Sequence, residues 1–115
     1  LNKEDMAIFL GEYLTEPKSS VFFDSPEKPL PPKKFTQAAL KHGVRLALKT
    51  QMLDQAKHIF INGESFSVGK VDKQTLSQLA NQRNLSADEM TNASDDVMEA
   101  FCIWYEDGWL ELDKN

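Results

Sequence analysis

Cysteine is nearly absent. Cys102 is the only one in 115 residues, so no intrachain disulfide can form and a stapled secreted fold is excluded. It lies in an apolar run and reads as a small core residue. No apolar run approaches the ~20 residues of a membrane-spanning helix, and no signal-peptide pattern is present. A cytoplasmic chain that leaves membranes alone is therefore expected. Histidine is scarce too: His42 and His58 are the only two. Neither stands in a His-x-Asp, His-Glu-x-x-His or Cys-x-x-Cys spacing that gathers a metal. A phosphate-cradling glycine loop and a nucleophile elbow are also missing. Catalysis needs convergent groups, so no catalytic residue, metal ligand or cofactor is expected in this chain.

Each charge sign is missing from one stretch. From Lys28 to Leu53 there is no acid, only Lys28, Lys33, Lys34, Lys41, Arg45 and Lys49; from Leu85 to Asp113 there is no base. The net charge of −5 disfavours general nucleic-acid affinity. Lys33, Lys34, Lys41 and Arg45 are the candidates for contact with a polyanion, with solvated helix and strand faces as the plainer explanation. The two segments can also attract each other, within the chain or across a dimer. Proline is confined as well, with all five between Pro17 and Pro32.

The clearest structural signal is Asn62-Gly63 between two alternating runs. A two-residue type I′ hairpin turn needs positive φ at both central positions, which Asn and Gly tolerate best. The register that follows sets Ile61 opposite Glu64, Ile59 opposite Phe66 and Lys57 opposite Val68. Ile59, Ile61, Phe66 and Val68 then share one face, and His58, Phe60, Ser65 and Ser67 the other. A lone hairpin is marginal in water, so the apolar face needs cover from elsewhere in the chain.

Before it, residues 4–14 read as an amphipathic helix with Met6, Phe9, Leu10, Tyr13 and Leu14 at i, i+3, i+4, i+7 and i+8. So short a helix needs a partner for its stripe: this chain, a preceding domain or a second copy. Residues 16–32 read as an extended connector in which Val21, Phe22 and Phe23 add a strand or dock on the core. A helix over 33–42 closes at Gly43 as a left-handed cap. Val44 to Lys49 alternates as a strand with Val44, Leu46 and Leu48 inward, and 51–55 turns back, so that this strand and the hairpin make one three-stranded antiparallel sheet.

After the hairpin, Asp72 caps a helix to about Asn84 with Leu76, Leu79 and Ala80 inward. Ser86 and Glu89 have capping-box spacing. Ser94 caps a last helix to Asp107, the most apolar in the chain, and 109–112 closes as an edge strand. The expected fold is α+β: a winged-helix-like domain over 33–115, a small antiparallel sheet with three or four helices, preceded by a helical arm over 1–32. Because the chain does not begin with methionine, it is also expected to belong to a longer protein.

Gly11-Glu12-Tyr13-Leu14, the proline-rich connector, the helix ending at Gly43, Val44-Arg45-Leu46, Asn62-Gly63-Glu64, the helix from Leu76 to Ala80 and Gly108-Trp109-Leu110 occur in an order that resembles the C-terminal part of bacterial ribosomal oxygenases. These are JmjC-type cupin hydroxylases dependent on Fe(II) and 2-oxoglutarate, of which one modifies an arginine of a large-subunit ribosomal protein. The resemblance implies the end of a dimerisation region followed by a winged-helix-like domain, together a non-catalytic part that supports dimerisation or substrate presentation. On it, Met6, Phe9, Leu10, Tyr13 and Leu14 are dimer-packing candidates. The His-x-Asp and distal His iron ligands, with the Fe(II) and 2-oxoglutarate sites, belong to a preceding cupin domain and have no counterpart here. The implied parent is a homodimer with a ribosomal protein as substrate. The alternative is a freestanding winged-helix module for nucleic acid or a protein partner, its reading residues Lys73, Gln74, Gln78 and Arg83.

Overall fold

The computed structural model describes residues 2–55 and 57–114. In it the Asn62-Gly63 turn joins β3 (His58–Ile61) to β4 (Glu64–Ser67), with Ile61 opposite Glu64 and Ile59 opposite Phe66. Asn62 has φ 46° and Gly63 φ 89°, the positive values a type I′ turn requires. The ladder ends with His58 opposite Ser67, and Lys57 belongs to the preceding turn.

The third strand of this sheet is not the expected one. Residues 52–55, read as a turn, form β2 (Met52–Gln55), antiparallel to β3 with Met52 opposite Ile61 and Gln55 opposite His58. The buried Asn62 clamps this pairing: its backbone N–H donates to the Gln51 carbonyl, and its side-chain oxygen accepts the Gln51 N–H, both at 2.9 Å.

The strand expected to fill that place, β1 (Val44–Leu46), lies at the centre of a second three-stranded antiparallel sheet, between β5 (Asn84–Leu85) and β6 (Leu110–Leu112). Val44 and Leu46 are buried as expected, but the alternation stops there, and Leu48 is 92% exposed. Residues 47–50 instead form a turn. The Arg83 guanidinium donates to the carbonyls of Thr50 (3.0 Å) and Ala47 (2.9 Å), and the Thr50 hydroxyl donates to the Trp109 carbonyl (2.7 Å). Backbone groups satisfied in this way leave the ladder, and Leu48 goes to solvent with them.

Helices surround the two sheets. α2 (Pro32–His42) starts on a proline, which loses no hydrogen bond at a first turn. It stops at Gly43, whose φ of 80° and close approach to the Leu85 carbonyl leave no room for a side chain. Its ψ of −179° takes it out of the left-handed helical region into a positive-φ conformation open essentially only to glycine. α3 (Lys70–Gln82) begins upstream of the expected cap: Gly69 is the N-cap, and Asp72 lies in the first turn, where the dipole favours its carboxylate. It ends at Arg83 in the left-handed region, so that Asn84 is released into β5.

The Ser86–Glu89 capping box starts α4 (Ala87–Met90), and the Ser94 side chain caps α5 (Asp95–Glu106). α5 packs into a core that includes Phe35, Val44, Leu79, Leu85, Phe101 and Leu110. The proline-rich connector forms no strand among its described residues. It docks: the Tyr105 hydroxyl accepts the Leu30 N–H at 3.0 Å, and Phe23 lies 6.2 Å from the Trp109 ring.

Candidate interaction surface

The connector carries the chain away from its first helix, α1 (Lys3–Thr15), which lies on the hairpin sheet. The Asn2 side chain caps it by accepting the Asp5 N–H at 2.7 Å, and Glu4 and Asp5 suit the dipole of the first turn. Its inner face carries Gly11 and Thr15, both buried, beside the half-buried Ile8 and Glu12. Gly11 lies directly over Phe60, and any Cβ there would collide with the ring. One turn on, the Thr15 hydroxyl donates to the Gly11 carbonyl (3.0 Å) and accepts the Gly63 N–H (2.9 Å), tying the helix to the hairpin turn. Ser65 donates to the Glu12 carboxylate at 2.5 Å, and His58 Nε2 lies 3.9 Å from Glu4 Oε1. Phe60, assigned by alternation to the hairpin's polar face, is thus only 1% exposed, roofed by a helix.

That seating turns the predicted apolar stripe outward. Met6, Phe9, Leu10, Tyr13 and Leu14 are between 50% and 68% exposed. The structure therefore gathers these five residues on one solvent-facing stripe, although the core of the same chain is within reach. Large apolar patches on soluble proteins mark contacts with other molecules.

The basic candidates do not converge. Lys33 and Lys34 lie in the first turn of α2 and Lys41 in its last, about 12 Å along the axis at 1.5 Å per residue. Arg45, on β1, holds Glu111 of the neighbouring β6 at 3.0 Å and Asp113, just past that strand, at 3.8 Å. The attraction between the basic and acidic segments is realised there, within one sheet. Lys73 pairs with Asp54, and Arg83 anchors the 47–50 turn. His42 is exposed at the end of α2, and among the described residues no three His, Cys, Asp or Glu side chains are grouped to hold a metal. Cys102 is buried, and desolvation, with the Glu106 carboxylate nearby, pushes its thiol up and away from reactivity. No described helix is long and apolar enough to cross a membrane.

The spacing in the sequence puts these five residues on one helical stripe and leaves its direction open. The signal for direction was Gly11 and Thr15. Glycine inside a helix costs about 1 kcal/mol against alanine, and such a residue four positions before a small hydroxyl marks a face pressed against backbone or a ring.

The family model for ROXA-like winged helix domains matches residues 2–111. Among solved structures, the ribosomal oxygenase YcfD from Escherichia coli superposes with a TM-score of 0.81 at 17% identity, over 97% of this chain and 31% of that one. A structure of YcfD in complex with cobalt and 2-oxoglutarate gives 0.79 at 18% identity, over 95% and 30%. The chain thus spans about a third of the length of the structures it matches. No curated protein matches it.

Proposed function

The chain belongs to the ROXA-like winged-helix family, and from that premise we propose that it is the non-catalytic C-terminal part of a cupin-type, Fe(II)- and 2-oxoglutarate-dependent ribosomal protein hydroxylase, serving dimerisation. On this reading residues 1–32 close a dimerisation region and 33–115 form the winged-helix domain, acting in the cytoplasm on a ribosomal protein substrate. The reading is supported by the family match and by likeness to a ribosomal oxygenase three times as long. The iron does not fit here: His42 ends α2, His58 lies on β3 beside Glu4, and no described cluster offers three ligands. Iron and 2-oxoglutarate are therefore assigned to a cupin domain outside this chain.

The observation that carries the proposal is the outward stripe of α1. A second copy laid against it removes Phe9, Leu10, Tyr13 and Leu14 from water, and full burial of such side chains stabilises by about 1.5–3 kcal/mol each. Sedimentation over a range of concentrations should show a monomer–dimer equilibrium that Phe9→Asp shifts to monomer. A strict monomer at every concentration would count against it. For the parent, a His-x-Asp motif in the coding sequence upstream of Leu1 is expected, and its absence removes the oxygenase assignment.

One observation favours the alternative, a nucleic-acid module: Lys33, Lys34 and Lys41 are all exposed. Such binding would fall with added salt and with Lys33→Ala plus Lys34→Ala. The nine acids and absent bases from Leu85 to Asp113 oppose it.

A further inference from the structure

A groove of about 510 Å³ runs between α2 and α5, lined by residues the dimer reading does not use. Its floor is apolar, made by Met98, Cys102 and the half-exposed Ile103. Asp95, Glu99 and Glu106 follow one rim along α5, and the only base among its lining residues is Lys33, on the α2 wall. Asp95 to Glu106 spans about 16 Å at the helical rise, the length of a three-turn helix.

Ile103 decides what kind of surface this is. It stands 50% exposed on a helix whose Val97, Phe101 and Trp104 are nearly fully buried, so it points away from the core and into the groove. Apolar side chains beside a row of carboxylates oppose a polyanion and suit a ligand with apolar anchors and neighbouring cations. The volume lies within the usual range for binding clefts. Charge complementarity therefore selects the occupant.

We propose that the α2–α5 groove binds a lysine- or arginine-rich amphipathic segment of another protein, with an aliphatic side chain against Ile103 and its cations on the adjacent Glu99 and Glu106. Asp95 extends the same rim toward the start of α5. The proposal is independent of self-association through α1: peptide titration tests this surface and sedimentation the other, so the two fail separately.

The test is fluorescence anisotropy with a labelled 15-residue leucine–lysine amphipathic peptide. Its leucine–glutamate counterpart and a 15-base-pair DNA duplex serve as the other probes. The lysine peptide alone should bind. Glu99→Lys with Glu106→Lys, and separately Ile103→Asp, should each weaken it by roughly tenfold or more, the scale of a central interface contact. These positions are exposed or half-exposed, and melting curves establish that each variant remains folded. Asp88→Lys, a single charge reversal on α4 outside the groove, should shift affinity by less than about twofold. The proposal is overturned by no binding, by equal binding of the acidic peptide or DNA, by Ile103→Asp binding as tightly as the unaltered chain, or by Asp88→Lys weakening it as much as the rim reversals do.

Discussion

Helices α1 and α5 both gather apolar residues on a helical face and place them in opposite directions. In α5, Val97, Phe101 and Trp104 are at most 3% exposed, and in α1, Phe9, Tyr13 and Leu14 are at least 59% exposed. Periodicity specifies which side chains share a stripe and says nothing about what the stripe meets. The opposite faces settle direction. Glu99 and Glu106 on α5 cannot be buried cheaply, so its apolar face goes inward. On α1 the opposite face holds Gly11 and Thr15, which allow closer approach to the hairpin than the large side chains would, and the stripe is left facing solvent.

Five changes break or sharpen that contrast. The largest effect is expected from Phe101→Ala, which empties a fully buried site and should cost about 3–5 kcal/mol by chemical denaturation. Phe9→Ala, the matching change on α1, should stay within about 0.5 kcal/mol in the dilute monomer. Equal losses at the two positions would erase the distinction.

Gly11→Leu comes next. Its side chain meets the Phe60 ring, so α1 should lift from the hairpin at a cost of about 1–3 kcal/mol, with faster hydrogen exchange over 3–15 and little change in α5. Thr15→Val keeps the shape but removes the bonds to the Gly11 carbonyl and the Gly63 N–H. A loss of about 1 kcal/mol, confined to α1 and the hairpin turn, is the expected reading.

The smallest effect concerns acid. Burial alone would raise the carboxyl of Asp54, but bonds from Lys73 and Ser77 outweigh it and hold the group below its usual range. Glu89 is lowered by the Ser86 backbone N–H and then by Gln82. A lowered carboxyl contributes stability above its unfolded pKa, about 4 for both types, that is lost as pH falls through the lower folded value. Melting temperature should therefore drop as pH is taken from 5 toward 2, and Asp54→Asn should flatten that slope. An unchanged slope would remove Asp54 from the account.

Much of the fold was legible because its determinants are local. The Asn62-Gly63 turn specified the hairpin register within four residues, and Ser86, Ser94, Pro32 and Gly43 marked helix boundaries through bonds or torsions that need no distant partner. Asp72 failed as a cap because Gly69 already supplied an extended residue, which placed the carboxylate one turn in. Strand partnership was harder. Val44–Leu46 has an alternating face whichever sheet it joins, and only the return of Asn84–Leu85 and Leu110–Leu112 to its two edges decides which. Leu48 was misplaced for the same reason, since Arg83 and Trp109, which hold its turn, lie far away in the chain. As for the candidate surface, its five residues were visible as a stripe, while the groove beside Ile103 was not, because its walls come from helices separated by half the chain.

By itself, the order of residues determined the single cysteine's inability to cross-link within the chain, the tight hairpin, the helix caps and the separation of basic from acidic segments, all of which rest on composition or on torsions and bonds reaching a few positions. Tertiary structure alone decided that β1 leaves the hairpin for a second sheet and that α1 presents its apolar side to solvent. Those outcomes depend on which surfaces can approach most closely in space, and a glycine over a phenylalanine ring forty-nine residues away has no short-range trace beyond the glycine itself.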